Sequence, residues 1–155
     1  MKNHMFFTLI SLFLSIILLN SCTQEQSSIR ENLKPCFRAT EGDTVWVIIN
    51  HVKTDKREQF ENLIHDITWP TISKADSITQ KVENYTRVLH PTKINNDSTY
   101  TFIFIGDPVI KGANYNFSYL LRNVYEQEEA DEYLKKIQDC FSSPQTFYTQ
   151  IQSQH

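Results

Sequence analysis

Between Thr44 and Ile151 the spacing of apolar residues changes in a set order, and that order limits the fold more than any single motif does. Thr44 to Val52 (TVWVIINHV) is rich in β-branched and aromatic residues and reads as a strand buried on both faces. Thr54-Asp55 then offers an N-cap, and Phe60, Leu63, Ile64 and Ile67 recur at the spacing of one helix face. That helix is expected to run to about Trp69, because Pro70 disfavours helical geometry in the residue before it.

Residues 71 to 82 carry no clear period and leave room for a further helical turn. Tyr85 to His90 (YTRVLH) reads as a second strand and Tyr100 to Ile105 (YTFIFI) as a third, joined by the turn-forming KINNDS. Phe117, Leu120, Leu121 and Val124 keep helical spacing. The stripe then shifts around the axis at Ala130, Tyr133, Leu134, Ile137 and Phe141, which predicts two helices with a bend near Glu126. Gln145 to Ile151 (QTFYTQI) reads as a closing strand. Strand, helix, strand, strand, helices, strand is the ferredoxin-like α+β order, an antiparallel sheet with helices on one face. The other face needs cover too, and pairing two such sheets would supply it.

The residues before this domain read differently. Met5 to Leu19 is an uncharged apolar run of fifteen residues, short of the roughly 20 that span a bilayer and suited to a secretory signal. It ends in Leu19-Asn20-Ser21-Cys22, which resembles the lipobox of bacterial lipoproteins, although Asn20 departs from the commoner small or apolar residue. The resemblance implies a lipid on Cys22 and anchorage in the membrane, with each buried methylene of the acyl chains contributing about 0.8 kcal/mol. Thr23-Gln24 after the cysteine implies the outer membrane under the usual sorting pattern of such proteins. The expected organisation is a signal over residues 1–21, a lipidated N-terminus and tether over 22–43, and an α+β domain over 44–155.

Removing residues 1–21 takes away one Lys and no acid, so the formal charge of −3 becomes −3 − 1 = −4. A mildly acidic chain without basic clusters gives nucleic acid no electrostatic footing. Cys36 and Cys140 remain, and in an oxidising compartment a bridge between them would close a loop of about a hundred residues, worth up to roughly 4–5 kcal/mol. The alternative is that Cys140, in a helical pattern beside Phe141, is a buried free thiol.

The strings VWVIINHVKTDKREQFENLIHDITWP, TYTFIFIGDP and NFSYLLRNVYEQEEADEYLKKI resemble the dimeric α/β-barrel superfamily, which includes the antibiotic-biosynthesis-monooxygenase-like domains. The resemblance implies a homodimer and a ligand pocket. Alternation sorts the strand faces: Val45, Val47 and Ile49 suit the helix side, leaving Trp46, Ile48 and Asn50 for the barrel interior, with Tyr100, Phe102 and Phe104 beside them. Tyr85 and Arg87 share a face. A candidate pocket of Trp46, Asn50, Tyr85, Arg87, Tyr100 and Phe102 follows, apolar with a few polar handles and suited to a small apolar or aromatic ligand.

Relatives that oxidise phenols without a cofactor use Asn, Trp, Tyr and Arg in such a pocket. The resemblance therefore implies a cofactor-independent monooxygenase in which Asn50 orients a substrate oxygen and Arg87 stabilises an enolate-like anion. The leading reading is nonetheless an envelope domain that binds a small molecule or partner without catalysis; the monooxygenase and a structural envelope component are the alternatives, and no residue is singled out as catalytic. No cofactor is expected. A haem-degrading relative would need an axial histidine in Phe117 to Phe141, which has none, and His51, His65 and His90 show no metal-ligand spacing. With three glycines the chain has no phosphate loop. The chain made in a bacterial host is expected to carry a diacylglycerol-containing mass increment at Cys22, read by intact mass spectrometry and abolished in Cys22→Ala; an unmodified Cys22 would remove the anchor.

Overall fold

The computed structural model describes residues 38–154, so the expected signal, the lipobox cysteine Cys22 and Cys36 lie outside the described residues. Four strands among them form one antiparallel sheet in the order β2-β3-β1-β4: β1 Thr44–Lys53, β2 Thr86–Leu89, β3 Thr99–Gly106 and β4 Thr146–Ile151. A first helical run, α1, follows β1 over residues 54–73. A short α2 precedes β2, with a 3-10 turn Thr79–Lys81 leading into Val82–Tyr85. Two further helices, α3 Phe117–Val124 and α4 Gln127–Cys140, return the chain to β4 with a break at Tyr125-Glu126. This is the ferredoxin-like α+β arrangement.

The two faces of the sheet are the reverse of the expected ones. Opposed residues share a side, and the pairs Ile48↔Phe104, Asn50↔Phe102 and Val52↔Tyr100 lie on the side that meets the helices. There Val52 and Phe102, both fully buried, pack with Phe60, Leu63 and Ile64 of α1 and with Cys140 of α4. Val45, Val47, Ile49, Ile103 and Ile105 face the other way. Because both sides of β1 are apolar, alternation does not rank them; volume does. Helices stand about 10 Å off a sheet, and rings fill that gap better than aliphatic branches. Phe60 meets Phe102 at 5.0 Å, Phe141 at 5.4 Å and Phe104 at 6.4 Å between centroids, each edge to face. The face away from the helices also carries His51, Arg87 and Thr101, which would lose hydration beneath them.

The first helix also outruns its expected end. It comprises a 3-10 turn Thr54–Lys56, an α-helical stretch Arg57–Asn62, a π-helical segment Leu63–Thr68 and a last α-helical stretch Trp69–Ser73. The Trp69 N–H reaches back five residues to the Ile64 carbonyl, and Pro70 then falls in the first turn of the last stretch, where a missing N–H is no loss. The hydroxyls of Thr68 and Thr71 donate to the carbonyls of Leu63 (3.1 Å) and Ile67 (2.6 Å) across the irregular turns. Thr54 does not cap the helix: its hydroxyl donates to the Ser98 carbonyl in the β2–β3 loop.

A second cluster forms where α1 ends: Ile72, Val82 and Leu120 are buried together, with Trp69, Ala75, Ala113 and Tyr115 against them. Asp76 holds the start of α2, accepting from the Thr79 hydroxyl (2.6 Å) and from the N–H groups of Ile78 (2.9 Å) and Thr79 (3.0 Å). These bonds, the Thr79 hydroxyl foremost, keep its carboxyl below the ordinary range. Before β1, Gly42 donates to the Gln152 carbonyl (3.0 Å) and Gln152 to the Asp43 carbonyl (2.9 Å), so residues 42 and 43 are already tied to the sheet.

The assignment of faces has a direct thermodynamic test. Phe102→Ala empties the centre of the core and is expected to cost about 3–5 kcal/mol in urea denaturation, whereas the adjacent Ile103→Ala, on the opposite side, is expected to cost about 1 kcal/mol at dilutions where the chain is single. A larger loss at Ile103 would reverse the faces again.

Candidate functional site

Between the helix side of the sheet and α1 to α4 lies a cavity of about 390 Å³. It is bounded by members of both clusters: Phe60, Leu63 and Ile64 from the first, and Ile72, Val82 and Leu120 from the second. Ile48 and Phe104 form part of its sheet wall, and Leu134, Ile137 and Phe141 come from α4 and its end. Its lining contains no residue that is charged at neutral pH. The polar members are amides and hydroxyls.

Most of those groups are engaged within the fold. The Thr79 hydroxyl donates to Asp76 and accepts the Asn114 N–H at 2.9 Å, which pins the loop after β3 against α2. The Tyr115 hydroxyl accepts the Ile110 N–H at 2.7 Å, and burial pushes its phenol above the ordinary value. Asn50 is the buried exception, the Gln138 amide being exposed. It is 1% exposed at the centre of β1. Its Oδ1 accepts from Gln145 Nε2, and its Nδ2, buried, has no partner. A buried donor left unpaired costs about 1–3 kcal/mol, and among the described residues Asn50 Nδ2 is the buried atom of the cavity lining in that position.

The sequence-derived candidates do not converge here. Asn50 lines the cavity. Trp46 stands one ring away, its indole 4.6 Å from Tyr115 and 5.1 Å from Phe147. Phe102 is enclosed in the core beneath Phe60 and His90. Tyr100 is half-buried under the Arg57 guanidinium, 4.7 Å from its ring centroid. Tyr85 closes α2, where its carbonyl accepts the Asp107 N–H at 2.8 Å. Arg87 points to the face away from the helices and is held by the Asp107 carboxylate, whose other oxygen takes the Ala39 N–H at 2.7 Å. Asn50 and Arg87 are therefore on opposite sides of the sheet and cannot share one substrate.

The histidines also lie elsewhere. His51 faces away from the helices near Thr101, and His65 stacks on His90 at 6.1 Å beside Glu61. Cys140 is a buried free thiol that donates to the Lys136 carbonyl at 3.1 Å, and burial raises it above the ordinary thiol value; its expected bridge partner lies outside the described residues.

Gln145 and Tyr115 are the site residues that sequence reasoning missed. For Gln145 a signal existed: the β1–β4 register pairs Ile48 with Phe147 and Ile49 with Thr146, and one further step places Gln145 opposite Asn50. That register depends on which strand neighbours β1, which alternation does not reveal. Tyr115 sits in the loop after β3, where no periodicity applies.

No protein-family model matches the chain, and no curated protein matches it in sequence. Among solved structures, a protein from Caulobacter crescentus CB15 provisionally described as an antibiotic biosynthesis monooxygenase is similar over 74% of this chain and 92% of its own, with a TM-score of 0.39 and 10% identity. A likeness that distant carries no argument about the site.

Proposed function

We propose that this chain is a lipid-anchored bacterial envelope protein whose α+β domain takes a small, uncharged, largely apolar molecule into the cavity between its sheet and its helices. The observation that carries the reading is the cavity wall: apolar over most of its extent and without charge. Ligand sites have this composition, with apolar surface supplying affinity and a few placed polar groups supplying orientation. An ion entering this cavity would lose its hydration without finding a counter-charge.

Oxidation of a phenol without a cofactor is the less supported reading. It needs a base to form the phenolate and a cation or donor pair to hold it. The ionisable group in the lining is Tyr115, whose phenol burial makes harder to ionise, and Arg87 lies across the sheet, paired with Asp107.

The same domain is proposed to pair with a second copy through the side of the sheet away from the helices. Val45, Val47, Ile49, Ile103 and Ile105 lie there; of the basic strand residues on that side, Arg87 is paired with Asp107, Lys53 donates to the Asp139 carbonyl and His51 lies by Thr101. An apolar face that asks for no opposite charge is suited to its own copy.

Two outcomes are expected. With the full chain in lipid nanodiscs and the signal of empty discs subtracted, the neutral probe N-phenyl-1-naphthylamine should brighten with one site per chain, and Leu134→Trp, which fills cavity space, should weaken it about tenfold at unchanged circular dichroism. No site, or equal affinity in the variant, would remove the cavity from consideration. In sedimentation of the detergent-solubilised full chain with the detergent density-matched, the wild type should have the mass of two chains and Ile103→Lys that of one; a single-chain wild type would leave that face unpaired.

A further inference from the structure

We infer that the helix side of β4 is the surface by which the anchored domain lies on its own bilayer, and that it turns the mouth of the cavity to the lipid. The inference rests on the anchor and the binding reading above and adds the place from which the cavity fills.

Among the described residues, β4 is the strand that the helices leave open. The register sets Phe147 opposite Ile48, Thr149 opposite Trp46 and Ile151 opposite Thr44, so all three stand on the helix side of the sheet. A helix above them would make Phe147 and Ile151 core; instead they are 50% and 63% exposed. Trp46 packs behind Phe147 at 5.1 Å and against Tyr115 at 4.6 Å, and Tyr115 and Ile48 belong to the cavity wall. The exposed residues of that wall are Gln138 and Gln145, which set its mouth between α4 and the start of β4. Apolar shelf and mouth are therefore neighbours along one strand.

Single apolar residues on a surface need no explanation, but the place and the chemistry of this group point to lipid. The Gly42 N–H donates to the Gln152 carbonyl (3.0 Å) and the Gln152 N–H to the Asp43 carbonyl (2.9 Å), just beyond the Thr44–Ile151 pair. The chain thus joins the domain at the end of the shelf. From Ala39, tied to Asp107, seventeen positions lead back to Cys22, and a chain of that length spans at most about 60 Å. An anchor at Cys22 keeps this end of the domain within reach of the membrane surface.

Residues 146–154 (TFYTQIQSQ) carry no charged side chain, so laying the strand on headgroups takes no ion out of water. An indole between a phenol and apolar side chains is also the kind of group that settles at a membrane–water interface. Tyr148 and Gln150 stand on the other side of β4, opposite Val47 and Val45, and belong to the face proposed for pairing. The two surfaces do not compete.

The test is quenching of tryptophan emission in the full acylated chain, placed in nanodiscs of neutral phosphatidylcholine with brominated or plain acyl chains. Emission is expected to be weaker in the brominated discs, by the same fraction at low and high salt because the contact is uncharged. Trp46→Phe, which leaves Trp69 as the remaining indole, is expected to lose that difference. Phe147→Asp combined with Ile151→Asp is expected to lose most of it at unchanged circular dichroism. Equal wild-type emission in both discs would overturn the inference, as would a difference that persists in Trp46→Phe or in the aspartate variant. Equal emission with a two-chain mass that falls to one chain in the aspartate variant would assign the shelf to a second copy instead. The filling route is read on the same discs: N-phenyl-1-naphthylamine delivered in the lipid should load the aspartate variant about tenfold more slowly than the wild type, to the same final occupancy. Equal loading rates would overturn the route and leave the contact standing. No bound probe would overturn the binding reading and the route with it, while the quenching still decides the contact.

Discussion

A four-stranded sheet that is apolar on both sides has helices here for only one of them, and the side they take decides where core, cavity and open surface lie. The choice is made by ring volume. Phe102 stands fully buried under Phe60, with Phe104 and Phe141 around the same ring, and Val52 closes the floor beside them. Burying a side chain of that size contributes about 1.5–3 kcal/mol, and the aliphatic residues of the opposite side could not span the same gap. Once the aromatic set lies beneath the helices, Asn50 goes with it, because it shares their parity on β1. Arg87 goes the other way by the same rule.

The helix side is not filled evenly. One cluster forms around Phe60 and Phe102 and a second around Ile72, Val82 and Leu120, and the cavity occupies the interval between them. The π-helical segment Leu63–Thr68 joins the two: Leu63 and Ile64 belong to the first cluster, Thr68 lines the cavity, and Ile72, a few residues later, belongs to the second. Widened turns of this kind occur often at functional sites, because they re-aim a helix without breaking it. The loop carrying Asn114 and Tyr115 closes the far wall through bonds to Thr79 and Ile110 as well as through packing on the second cluster.

Much of the fold was legible in the sequence because it follows from periodicity. The β1 boundaries, the hairpin at KINNDS, the break near Glu126 and the closing strand all rest on apolar spacing or turn chemistry. Three features were not legible, each for a physical reason. The faces of β1 could not be ranked, since Val45-Val47-Ile49 and Trp46-Ile48 are both apolar. The helix passes Pro70 because a π turn absorbs it, and single-residue propensity carries no sign of such a turn. The contact between Asn50 and Gln145 spans most of the domain in sequence and appears only once β4 is known to neighbour β1. Of the residues expected in one pocket, Asn50 alone lines the cavity: parity sends Arg87 to the other side, Tyr85 ends α2, and Trp46, Tyr100 and Phe102 share the side of Asn50 but pack elsewhere along it.

The π-helical segment also ties the site to the counting of residues in the chain. Such a segment is an ordinary helix carrying one residue too many, and each residue of an α-helix advances the next by about 100°. A sister chain lacking one residue between Leu63 and Thr68 would keep its helix but turn Trp69 and Ile72 by that angle, away from Val82 and Leu120. The second cluster would lose its partner and the cavity its far boundary, with every lining side chain still present in the sequence. Descent by insertion or deletion can therefore remodel this interior as strongly as substitution does, and two chains of this architecture that share every lining residue can still enclose differently shaped space.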